Sequence, residues 1–216
     1  MKISWSQALM DKFGEFVHGE QNNLFQERLK YVKVNLWNYL IDWRVRDGVN
    51  LRNWLKEQVD DPFGNEIVKQ EKWKDIKNMD DRILAILRYV TYNYNYQGDQ
   101  QVWDTPEKWA TFKESYALGR GDCEDGAIAI FVLARKAGIP ENRIMVCAGN
   151  VIGGGHCWVI YSSNDANQYA IDWCYWLDMT DIDERSIFWD LKNYYYGLEI
   201  WFGVTDQSMY VMQDGR

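Results

Sequence analysis

Apolar positions in the first hundred residues recur every three or four places. In LFQERLKYVKVNLWNYLIDW, residues 24 to 43, Leu29, Val32, Leu36, Leu40 and Trp43 share one stripe, which predicts a helix. A second helix is predicted in NLRNWLKEQV, residues 50 to 59, stopped by DDPFGN with its Pro62 and Gly64. A third is predicted in DDRILAILRYVTYNYNY, residues 80 to 96, with Asp80 or Asp81 as cap and Ile83, Ile86, Leu87 and Val90 on one face. The polar loop GDQQVWDTPEKW follows, with Pro106 at an expected helix start. From Ala127 to Ala137 the chain is apolar on every side except at Arg135 and Lys136, so that helix should be buried, and GIP at 138 to 140 should end it. The period then changes. RIMVCAG (143 to 149), HCWVIYS (156 to 162) and QYAIDWCYW (168 to 176) read as neighbouring strands, with LEIWFGVT and SMYVM as further ones. The expected architecture is α+β: a central buried helix packed on an antiparallel sheet, preceded by an N-terminal helical region. It divides into helices at 1–79, a core at 80–178, and aromatic-rich strands at 179–216 that complete or extend the core.

Composition narrows the reading. With 216 residues, 47% hydrophobic and 16% aromatic, the chain can fill one sizeable core. The formal charge is −8 and no Lys or Arg run is long enough to neutralise a phosphate backbone, which disfavours nucleic acid as a partner. MKISWSQALMDKFGEF mixes charges where a signal peptide needs an apolar run, and no stretch approaches the ~20 apolar residues that span a bilayer. A protein made and kept in the cytoplasm, or packaged from it, is expected. The cysteines at 123, 147, 157 and 174 are unevenly spaced and contain no C-x-x-C pair, so free thiols are expected and a zinc ribbon is excluded. Of the twelve tryptophans, Trp37, Trp43, Trp54, Trp158 and Trp173 fall in helical or strand patterns and read as packing. Trp103 and Trp109, in the loop before the buried helix, are candidates for lining a substrate groove.

GRGDCEDGA places Cys123 where a Gly-rich turn enters the buried helix. A helix N-terminus stabilises a thiolate, but the dipole's roughly 0.3 to 1 kcal/mol cannot overcome close carboxylates at Asp122, Glu124 and Asp125. A cationic partner is needed. Of the two histidines, His18 in EFVHGEQ reads as a solvated or capping residue. His156 follows GGG and opens a strand, whose alternation sends His156 and Trp158 to one face and Cys157 to the other. Asp172 on the next strand is flanked by apolar residues and would be costly to bury unless paired, as His156 would pair it. Nucleophile, base and orienting acid are thus available. The competing reading of Cys123 is an inert core thiol, with Asp122 or Glu124 capping the helix and Asp125 pairing with Arg120. Cys147, Cys157 and Cys174 read as packed thiols. Zinc on Cys123, His156 and Asp172 is chemically feasible, but these ligands lack short paired spacing, so no metal is expected.

GRGDCEDGA, the closing GIP, GGGHCWVIY, YAIDW and the upstream WDTPEKW together resemble the transglutaminase-like cysteine protease superfamily, in its bacterial and phage-encoded branch. The resemblance spans residues 80 to 178. It implies a papain-like fold, Cys123 as nucleophile, His156 as general base and acid, Asp172 as orienting acid, and a thioester passed to water or an amine without a cofactor. The amide of Cys123 would be one oxyanion donor, and the Trp103 indole or the amide of Gln97 or Gln101 the other. Cys157 departs from the small residue that often follows the family's histidine. The implied function is a peptidase or amidase acting on a peptide or side-chain amide, with cell-wall peptide as one acyl donor. The alternative is a virion or assembly protein that keeps the fold and binds phage structural proteins.

Overall fold

The computed structural model describes residues 42–151, 154–164, 168–174, 189–190 and 199–211. His18 and nearly all of the helix expected over 24 to 43 lie outside them. Helix α1, Gly48–Asp60, starts on the Asp47 side chain, which accepts from Val49 N at 3.0 Å, and buries Leu51, Leu55 and Gln58. The turn through Pro62 and Gly64, whose φ is +90°, leads into α2, Asn65–Gln70. A 3-10 turn at Trp73–Asp75 precedes α3, Met79–Asn93. Its cap is Asn78 rather than Asp80 or Asp81: the extended Asn78 accepts from Asp80 N at 2.9 Å. Asp80 is thereby freed to accept from the Tyr161 hydroxyl at 2.7 Å.

Strand β1, Asn95–Tyr96, and the short α4, Asp99–Val102, open the loop region. Pro106 starts no helix. The amides that follow are taken by remote carboxylates: Lys108 N by Asp99, Trp109 N by Asp42 at 3.0 Å, and Ala110 N by Asp125 at 3.0 Å. Helix α5, Phe112–Leu118, begins instead at a capping box of Thr111 and Glu114 and ends at Gly119 with φ +61°. Strand β2, Arg120–Gly121, pairs in parallel with β1.

Helix α6, Cys123–Lys136, is the central element, packed against β3 and β4 and flanked by α1, α3 and α5. Ala127 to Ala134 are at most 1% exposed. Each large apolar side chain buried here contributes roughly 1.5–3 kcal/mol, so packing rather than an exposed polar face holds this helix. Gly138, with φ +90°, turns the chain after the helix, as expected of GIP.

The antiparallel sheet has the order β6-β5-β4-β3-β7-β8, built from β3 (Ile144–Val151), β4 (Gly154–Ser162), β5 (Gln168–Ile171), β6 (Trp189–Asp190), β7 (Glu199–Val204) and β8 (Met209–Val211). Alternation sorts its side chains as expected. Val146, Cys157, Val159 and Ile171 face the helices, whereas Met145, Cys147, Trp158 and Ile160 form a second apolar cluster. The strand expected over 168 to 176 ends at Ile171, and the chain bends at Trp173; residues 175 and 176 lie outside the described residues. This is the α+β plan of a buried helix on an antiparallel sheet.

Candidate active site

Two glycines set the local geometry around Cys123. A Cβ at Gly121 would stand 2.3 Å from Asp125 Oδ2, and one at Gly126 would stand 2.0 Å from the Trp173 Nε1. The indole therefore lies directly on the first turn of α6, where its N–H donates to the Cys123 carbonyl at 3.3 Å. That clasp fixes the segment carrying Asp172 against the start of the thiol helix.

His156, 7% exposed on β4, has Nε2 at 2.6 Å from Asp172 Oδ2. Asp172 is 2% exposed, and its other oxygen accepts from Cys174 N at 2.9 Å. The imidazole also stacks on Trp158, with centroids 6.0 Å apart and planes 16° from parallel. With Nε2–H donating to Asp172 Oδ2, the second lone pair of the ring sits on Nδ1.

Cys123 occupies the first position of α6, but its thiol donates to Glu124 Oε2 at 3.2 Å. Burial pushes the thiol pKa well up, and the charge of Asp122 pushes it further. The resting group is therefore a thiol, since the helix terminus is too weak to offset these terms.

Around the thiol is an acidic cluster. Oxygens of Asp99, Asp122 and Asp125 lie within 4.8 Å of one another, as do those of Asp99, Glu107 and Glu124. Burial is the leading cause of raised pKa in every member, taking Asp99 to about 6 and Glu107 to about 7 and moving Glu124 and Asp125 well above the carboxylate range. Asp99 Oδ1, Asp122 Oδ1, Glu124 Oε1 and Asp125 Oδ2 are buried with no donor among the described residues. Asp122 and Glu124 are close enough to share a proton, which is how the bare protein can relieve one such pair. Two expectations are corrected here. Asp122 stands at the N-cap position with an extended backbone but makes no capping bond, and Glu124 takes the thiol. Asp125 accepts from Ala110 N and not from Arg120, whose guanidinium instead reaches Gln97 Oε1 at 3.1 Å.

The other sequence candidates separate. Gln97 is tied by its backbone N–H, which donates to Gly121 O at 2.9 Å, beside the thiol turn. Gln101 is exposed on α4. Trp103 lies under the Lys108 ammonium, 3.2 Å from the ring centroid, with a buried indole N–H that has no acceptor among the described residues. Trp109 cannot line an open groove: it is 1% exposed, packs on Phe202 and donates to Glu107 Oε1 at 2.9 Å. Cys147 and Cys157 are buried free thiols, and Cys174 is partly exposed and free. The sequence reading missed Trp173 as a clasp and Asp99 and Glu107 as members of the acidic cluster. An aromatic directly after the candidate acid was a usable signal for the first, whereas lone acids in a polar loop offered none for the others.

No curated protein matches the sequence. Legionella pneumophila LapG is similar in fold, with a TM-score of 0.51 at 15% identity over 67% of this chain and 76% of that one. EGTA-treated LapG from the same organism gives 0.51 at 16% identity, over 66% and 73%. The profile of the transglutaminase-like superfamily matches residues 67–174, the span that carries α3, the thiol turn, α6, His156, Asp172 and Trp173. The chain belongs to the transglutaminase-like superfamily, whose members are generally enzymes.

Proposed function

We propose that the protein is a thiol-dependent hydrolase or acyltransferase acting on a peptide or side-chain amide, with Cys123 as nucleophile, His156 as general base and acid, and Asp172 as the orienting acid. The observation that carries this reading is the buried 2.6 Å contact of His156 Nε2 with Asp172 Oδ2, in a segment clasped to the Cys123 turn by Trp173. Asp172 holds Nε2–H, which makes Nδ1 the nitrogen that accepts the thiol proton. Cys123 must first rotate away from Glu124. The thiolate attacks the carbonyl carbon, the amine leaves with the proton held on His156, and water or an amine then opens the thioester. The amide of Cys123 and the side-chain NH2 of Gln97, whose oxygen is held by Arg120, are the donors proposed for the oxyanion. A peptide or protein is the expected acyl donor.

The orphaned carboxylate oxygens have the all-oxygen chemistry that suits a hard divalent cation such as calcium. Asp99 would hold it together with either Asp122 and Asp125 or Glu107 and Glu124, and its charge would lower the cost of a thiolate at Cys123.

The test is alkylation by iodoacetamide near neutral pH, with the labelled site mapped by mass spectrometry, alongside turnover of a peptide library and cell-wall peptide. Cys123 should be labelled, and His156→Ala should slow both labelling and turnover by about a hundredfold or more. The second reading, a virion or assembly protein that keeps the fold, draws on the protonated thiol, whose pKa is pushed well up. An unreactive Cys123 and no turnover would favour it and sink the first.

A further inference from the structure

The bend after β5 places a second thiol beside the candidate base. Among His156, Asp172 and Cys174, one ring nitrogen, one carboxylate oxygen and the Sγ lie within 4.8 Å of one another. Asp172 and Cys174 are two residues apart, and the amide of Cys174 already bonds Asp172 Oδ1, so the pair is held in one orientation. His156 and Asp172 are buried, whereas Cys174 is partly exposed and opens a route from solvent. This trio differs from the Cys123, His156 and Asp172 set that the sequence offered, because its third ligand is two residues from its second.

We infer that His156, Asp172 and Cys174 form a zinc-binding site whose occupation switches the candidate active site off. The donor set of imidazole nitrogen, carboxylate oxygen and thiolate sulfur is the one zinc prefers, with bonds of about 2.0 to 2.3 Å. Ligand atoms within 4.8 Å of one another can reach a single ion after a small closure. Binding removes one proton, from the Cys174 thiol, as the Zn–S bond forms. Zinc on Nε2 displaces the proton that Asp172 now holds there, and the imidazole retains it on Nδ1. The nitrogen that would accept the Cys123 proton is then already protonated. Catalysis stops without the metal touching Cys123. The switching half of this inference rests on the proposed triad; the binding half does not.

The experiment titrates the purified protein with cobalt(II), as a spectroscopic substitute, and with zinc by calorimetry, with excess calcium present to occupy all-oxygen sites. One ion per chain and a thiolate-to-cobalt charge-transfer band are expected. Cys174→Ala should remove the band and weaken zinc by at least about the ten- to hundredfold that even outer-sphere changes cost. Cys123→Ser should keep both. In the unmutated protein zinc should protect Cys174 from alkylation, a readout that does not depend on a variant folding. A band lost in Cys123→Ser and kept in Cys174→Ala, or no protection of Cys174, overturns the site. Where turnover is measured, zinc should inhibit the unmutated enzyme and spare Cys174→Ala. Zinc bound at Cys174 with turnover unchanged overturns the switch alone, and absence of turnover without zinc counts against the triad while the binding data still decide the site.

Discussion

At Gly126 a single hydrogen atom in place of a methyl group lets the Trp173 indole lie on the thiol helix. Alanine there gains up to about 1 kcal/mol of helix propensity but collides with the ring, and overpacking of this kind costs about 1–3 kcal/mol. The collision should win, because the contact is 2.0 Å and the indole cannot retreat without breaking its bond to the Cys123 carbonyl. Gly126→Ala should therefore lower the thermal midpoint by a few degrees and change the rate of Cys123 alkylation. A midpoint that rises would show that the indole is not seated as described. The sequence made the pairing of His156 with Asp172 legible, because an acid amid apolar neighbours needs a partner and only two histidines were on offer. It did not reveal where the Cys123 thiol would point. Glu124 follows it directly, and no periodic pattern says which of two adjacent groups a thiol will bond.

Helix α6 is held at its far end by charge as well as by packing. Arg135 makes a two-pronged pair with Asp206 in the turn between β7 and β8, Nε to Oδ1 at 2.9 Å and Nη2 to Oδ2 at 3.2 Å. Both groups are largely buried, at 15% and 7% side-chain exposure. Asp206→Ala leaves the guanidinium without its counter-charge and should cost on the order of 3 kcal/mol, measured by urea unfolding. A loss under about 0.5 kcal/mol would place the pair with ordinary surface bridges. In the sequence Arg135 and Lys136 were visible only as polar interruptions in an apolar run. Lys136 reaches across to the carbonyls of Val59 and Asp61 at the end of α1. Element types were readable because their periods are local, whereas these cross-links join residues far apart in the chain and leave no periodic trace. The irregular stretch after Pro106 was misread for the same reason, since its amides are satisfied by Asp42, Asp99 and Asp125 rather than by a helix.

For the molecule as a whole, the acidic cluster ties stability to pH. Asp99 and Glu107 have folded pKa values of about 6 and about 7, above their ordinary 3.8 and 4.5. A carboxyl raised on folding favours the folded state most below its unfolded pKa, and that contribution is lost as pH rises through the folded value. Without divalent cations the thermal midpoint should accordingly fall between about pH 4 and pH 8. Calcium at the upper end of that range should restore it, and a chelator should reverse the gain. A midpoint that rises with pH in the metal-free protein, or one indifferent to calcium, would contradict the proposed role of these carboxylates.

Strand β7 has a consequence for biogenesis. It lies between β3 and β8, yet β3 and β4 are complete well before Glu199 emerges from the ribosome. During that interval one side of β3 offers unpaired N–H and C=O groups from an apolar strand, a template on which nascent chains can stick together. Assembly of the sheet must therefore wait for β7 and β8, and chains halted before Val204 should collect in inclusion bodies while those carried past Val211 stay in solution.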